Sequence, residues 1–182
     1  MKLKDFVIFN PIERLPKNQT FKKISMDQLQ PYSRKIESNT YEEYKGGSKF
    51  RNGDTLFARI TPCLENGKTS YVSCLEDNEV GFGSTEFIVV RAKPNISLPL
   101  FVFYLMTTDA IRSKAIISMT GSSGRERVQQ VALDNIVIPD YKLEYQQHIV
   151  NTTSFLLLKS LLLFLLVPFP PSLIQITRQR FF

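Results

Sequence analysis

"GDTLFARITPCLENGKTSYV", residues 53–72, is the stretch that decides the fold. In "TLFARI" (55–60), Leu56, Ala58 and Ile60 fall on one side and Phe57 and Arg59 on the other, the period of a strand. "NGK" (66–68) is a tight-turn signal, and "TSYVS" (69–73) reads as the returning strand. Upstream, "GGSKFRNGD" (46–54) is a turn cluster; downstream, "CLEDNE" (74–79) is an acidic loop and "GFGST" (81–85) another turn. "EFIVVRA" (86–92) is the clearest strand of the chain. Beyond it the pattern becomes helical. "PLFVFYLMT" (99–107) reads as a buried helix with Pro99 in its first turn, where a missing N–H costs little. "TDAIRSKAIISM" (108–119) follows, with Thr108 or Asp109 as cap and Ala110, Ile111, Lys114, Ala115 and Ser118 near one stripe. "VALDNIVIPD" (131–140) holds a last short strand ended by Pro139, and "EYQQHIV" (144–150) begins a helix. The expected fold is α+β. A twisted, mainly antiparallel sheet from residues near 55–60, 69–73, 86–92 and 135–138 carries helices from 99–119 on it.

The chain has 182 residues, 43% hydrophobic and 22% charged, which suits one globular domain with an appendage and excludes disorder throughout. Its net charge of +6 favours a polyanionic partner. Cys63 and Cys74 lack any zinc spacing, and with His148 as the single histidine no metal site is expected. The N-terminus has no long apolar run, so no secretory signal is read there. Enzyme signatures fail as well. There is no phosphate-binding glycine loop, and "PDYKLEYQ" (139–146) departs from the acidic nuclease pattern because its second acid comes too soon and Gln146 stands in place of the lysine. No cofactor is expected.

The cationic turns carry more information. Lys45, Lys49 and Arg51 form one group, Arg59 and Lys68 a second, and Arg125 and Arg127 a third, each beside glycine, serine or asparagine. Cations beside such turns suit phosphate oxygens, which small-residue backbone N–H groups also bind. These seven residues are the candidate contacts to a polyanion, with Lys68 and Arg125 foremost for phosphate.

Four stretches, "GDTLFARITPCLENGKTSYV", "VGFGSTEFIVVRA", "MTGSSGRERV" and "LDNIVIPDYKLEYQQHIV", resemble in order and spacing a target recognition domain of type I restriction–modification specificity subunits (HsdS). The resemblance covers residues 1–150. It implies a cytoplasmic, non-catalytic subunit that reads one half of a split site in double-stranded DNA. It also implies docking to a methyltransferase subunit (HsdM) and a restriction subunit (HsdR) where the docking helix is intact, with self-association of half-subunits a further expectation. A motif shared by readers of different sequences cannot encode the sequence read. "RITPCLENGK" (59–68) is therefore expected to be framework, shaped by Pro62 and Gly67, with Glu65 buttressing a cation; base readers are expected in 17–49, for example Gln19, Lys22 or Lys45, and in 74–80.

The pattern breaks after Val150. "FLLLKSLLLFLLV" (155–167) has eight leucines and one lysine, where the family continues into a long polar helix. Three readings fit residues 151–182: a membrane-associated tail, a helix buried against a partner, or a frameshifted or truncated end that adds nothing to the domain's fold. At thirteen residues the apolar run is short of the roughly 20 needed to span a bilayer. The competing function is a DNA-modifying enzyme, methyltransferase or nuclease, carrying its own reader; the absence of an "NPPY"-like motif argues against it.

Overall fold

A computed structural model of the chain describes residues 1–38 and 40–166. After a four-residue helix α1 (Leu3–Phe6) come strands β1 (Val7–Phe9), β2 (Thr20–Ile24), β3 (Tyr41–Glu43), β4 (Ser48–Phe50), β5 (Thr55–Ala58), β6 (Thr69–Tyr71), β7 (Gly81–Gly83) and β8 (Phe87–Ala92). Helices α2 (Pro99–Thr107), α3 (Asp109–Ile117), α4 (Gln130–Asp134) and α5 (Leu143–Leu166) follow. The fold is α+β, as the sequence leads one to expect, but it holds two sheets. One is antiparallel in the order β1-β8-β5-β6; the other runs β3-β2-β7-β4, with β2 and β7 parallel.

The first sheet is buried on both faces. Phe57 and Ile88 are paired in register and face the helices, in a core with Leu3, Phe6, Val102, Met106, Ile111 and Leu133. Leu56 and Val89, also paired, face the other way, onto Ile24, Phe50 and Leu75 of the second layer. This explains why β5 is buried at all four positions, although its alternation predicts one buried face. Each fully buried Leu, Ile or Phe contributes about 1.5–3 kcal/mol, so the doubly covered strands anchor the fold.

Four expectations are corrected. Residues 135–138 are not a sheet strand. They run beside the N-terminus, where Leu3 N–H donates to the Ile136 carbonyl at 2.8 Å and Ile138 N–H to that of Met1 at 3.0 Å. Ile136 and Ile138 fill the helix-side core while Val137 is exposed, and β1 takes the sheet edge instead. "GFGST" is not simply a turn: its first three residues are β7, in the middle of the second sheet. Glycine is needed there because a Cβ on Gly83 would collide with the Ile24 carbonyl of the parallel neighbour. Thr108 stands at the N-cap of α3, but its hydroxyl bonds back to the Leu105 carbonyl at 2.7 Å. The turn at 66–68 is the end of a longer coiled loop, described below. Apart from these, the helix expected to begin in 144–150 is α5, which runs as one element to Leu166; the tail beyond 166 lies outside the described residues. No helix among the described residues is long and apolar enough to cross a membrane.

Candidate nucleic-acid interface

The loop between β5 and β6 is wound on itself. Leu64 N–H donates to the Ile60 carbonyl, Asn66 N–H to that of Pro62 and Lys68 N–H to that of Cys63, at 3.0–3.1 Å. The Thr61–Pro62 peptide is cis, and Gly67 has φ +76°. A side chain at Gly67 would lie 2.8 Å from the Tyr32 ring, whose own backbone N–H donates to the Gly67 carbonyl at 3.0 Å. Glu65 buttresses no cation: its Oε1 accepts from the Thr61 hydroxyl at 2.8 Å, inside the loop.

The loop is fastened from beneath by a residue the sequence reading passed over. Arg112 of α3 is 6% exposed; its Nη2 donates to the Leu64 and Glu65 carbonyls at 3.0 and 3.2 Å, and its guanidinium lies 4.9 Å from the Tyr32 ring centre. The signal was present, because Arg112 falls between Ile111 and Ala115 on the buried face of the helix.

The seven candidate cations separate into two groups. Four are held within the protein. Lys68 donates to the Met26 carbonyl at 2.8 Å, so the framework loop props the short 3-10 turn Met26–Gln28. Arg59 reaches Gln129 at 3.1 Å, and Arg127 grips both oxygens of Glu86 at 2.7–2.9 Å. Arg51 donates to Glu13 at 2.8 Å and to the Asn78 carbonyl at 3.0 Å. The other three face outward. Arg125 ends the exposed loop 120–125, and its side chain has no acidic partner among the described residues. Lys45 is 78% exposed and sits 3.5 Å from Glu43. Lys49 lies over the Tyr44 ring at 5.8 Å. Lys22, considered as a base reader, is buried, with its ammonium on the Cys74 carbonyl at 2.6 Å.

On the outer face of the second sheet, Lys23, Phe82 and Lys49 lie side by side across β2, β7 and β4. Tyr44 meets Phe82 edge to face at 5.2 Å. Beside this row is an open cleft of about 380 Å³, bordered by Met26, Glu42, Lys45, Gly46 and Ser84. Two residues beyond Ser84 stands Glu86, the partner of Arg127, so the turn after β7 leads from the cleft toward the 120–125 loop. No group of three potential metal ligands lies together among the described residues.

Arg51 belongs to a network with Arg91, Glu13 and Asp54. Hydrogen bonding from Arg51, and then the hydrogen bond and charge of Arg91, hold the Glu13 carboxyl below the usual range despite its burial. A depressed folded-state pKa means that folding favours the ionised form. The contribution is present above the ordinary glutamate value of about 4.3 and is lost as pH falls through the lowered one. Urea unfolding of wild type and Glu13→Gln should therefore differ most above pH 5 and converge toward pH 3. A constant difference across that range would show that Glu13 does not titrate with folding.

Fold and loops define an α+β domain that holds cationic surface turns rigidly over two cores. Residues 1–157 match the type I restriction modification DNA specificity domain, and the chain belongs to that family. The specificity subunit of the type I restriction enzyme EcoAI of Escherichia coli is 35% identical over 106 residues, 58% of this chain and 18% of that one. The corresponding EcoEI subunit of Escherichia coli is 37% identical over 121 residues, 64% of this chain and 19% of that one. The chain thus matches about a fifth of the length of these curated relatives. Among solved structures, the HsdS subunit from Thermoanaerobacter tengcongensis superposes with a TM-score of 0.66 at 22% identity, over 88% of this chain and 42% of that one. A chain from a type I R-M system studied for complex assembly and conformational transition gives 0.65, also at 22% identity, over 87% and 42%. At that identity the likeness concerns the fold.

Proposed function

We propose that this chain is the DNA-reading domain of a type I specificity subunit. It binds duplex DNA without chemistry of its own and reads one half of a bipartite site in the cytoplasm. The match of residues 1–157 to a DNA specificity domain carries this reading. The outward cations support it: Arg125, Lys45 and Lys49 stand where phosphates can approach, while Arg51, Arg59, Lys68 and Arg127 shape the turns that present them. Docking to methyltransferase and restriction subunits, or to a second half-subunit, belongs to this reading where the docking helix is intact; the apolar run from Phe155 departs from the family's polar helix at that place.

The test is a titration of duplexes by fluorescence anisotropy at several salt concentrations. Arg125→Ala should lower the slope of log affinity against log salt by roughly 0.9 and weaken all duplexes about equally. A wild-type chain that binds no duplex at low salt is not a DNA reader. An unchanged slope for Arg125→Ala removes that phosphate contact alone.

A further inference from the structure

The β2–β3 ribbon contributes little to the cores along its outer end, yet it is firmly built. All three residues of β3 are exposed, as are Lys17, Asn18, Gln19 and Thr20 on the facing side. Pairing nonetheless continues past the strand ends: Tyr44 N–H donates to the Gln19 carbonyl at 2.8 Å and Asn18 N–H to that of Tyr44 at 3.2 Å. Lys22 ties the root of the ribbon to the Cys74 carbonyl. A rigid strand pair whose tip side chains serve no core has them available for recognition.

Those side chains are hydrogen-bonding types. The side-chain amide of Gln19 makes no hydrogen bond among the described residues. An amide offers a donor and an acceptor together, the pattern that matches adenine N6 and N7; a carboxylate accepts from cytosine N4. Bare carboxylates would be repelled by phosphates, but here each has a lysine beside it. Glu42 is 2.7 Å from Lys23 and Glu43 3.5 Å from Lys45. Each pair is neutral overall, so an acid on this surface can approach a base while its lysine turns to the backbone. The major groove, about 12 Å wide, admits a two-stranded ribbon of this kind.

We propose that the β2–β3 ribbon enters the major groove of duplex DNA, with Gln19 and Glu42 as specificity-determining residues that read base edges. The two share one face of the ribbon: Gln19 lies opposite Tyr44, and Glu42, two residues back along β3, points to the same side. Lys45 and Gly46, at the adjoining turn, sit against the phosphate beside the bases read. This rests on the DNA-binding reading above and adds where the sequence is discriminated.

The experiment uses the full chain. Wild type, Gln19→Ala and Glu42→Gln are each selected against a randomised duplex pool, then titrated against the winning duplex and its single-base variants, with folding followed by circular dichroism. Each variant should stay folded, keep the wild-type salt slope, and lose about tenfold discrimination at one or two adjacent positions. If both variants select the wild-type sequence with undiminished discrimination, the ribbon is not the reader, although the chain still binds DNA. Wild-type binding without base preference, or no duplex binding at all, overturns it together with the reading beneath it.

Discussion

Replacing Arg112 with alanine should destabilise the domain by about 2–4 kcal/mol, since the Glu65 carbonyl loses the guanidinium, the Leu64 carbonyl keeps only the Gly67 N–H, and a cation–aromatic contact disappears. The site is nearly closed to solvent, at 6% exposure, so water does not readily replace the guanidinium at Leu64 and Glu65. For a chain of this size the melting temperature should fall by about 8 °C. Arg112→Lys should recover only part, because an ammonium that takes the place of Nη2 at the two carbonyls lacks the flat guanidinium that lies over the Tyr32 ring. Calorimetry on both variants is the measurement. A loss below about 1 kcal/mol for alanine would show that the loop is self-supporting through its own turns. The effect should also reach the surface. The loop ends in Lys68, Lys68 props Met26, and Met26 borders the cleft beside the proposed reading ribbon. In the lysine variant, if folded, sequence discrimination should weaken more than overall affinity.

Legibility in the sequence followed the strength of local pattern. Phe87 to Val90 and the Leu56–Ala58 alternation revealed β8 and β5, and Pro99 marked the start of α2 where it is found. The second sheet was not legible. Its strands are three to five residues long, too short to show a period, and β7 consists of two glycines around Phe82. Glycine is chosen there by a backbone a strand away, at Ile24, and no local window contains that information. The same holds for the cations. Composition places Lys68 and Arg125 in equivalent settings, basic residues beside glycine turns, but Lys68 finds a carbonyl forty-two positions upstream while Arg125 ends an exposed loop. Arg112 differs: Ile111 and Ala115 beside it marked its face as buried, but a cation in a helix is ordinarily read as surface.

Asp54 is the second position where a single change should be severe. It is 1% exposed and accepts three hydrogen bonds: Arg91 Nε at 2.7 Å, Arg91 Nη2 at 2.8 Å and the Arg51 backbone N–H at 2.8 Å. The last closes the turn 51–54, in which Gly53 has φ +91°, and so delivers the chain into β5. Asp54→Ala should cost about 3–5 kcal/mol, because it leaves Arg91 partly desolvated with Glu13 alone and opens the turn at once. Asp54→Asn should be nearly as damaging: an amide has one acceptor oxygen and would turn its N–H₂ toward either the guanidinium or the Arg51 N–H. Removing both partners separates the two contributions. If the ion pair dominates, Asp54→Ala/Arg91→Met should recover a large part of the loss, since a buried charge without its partner costs more than an apolar replacement of both. If the turn dominates, the double variant should be no more stable than Asp54→Ala. Urea unfolding of the two single variants and the double decides between them, and a single-variant loss under about 1 kcal/mol would mean that neither interaction holds the entry to β5.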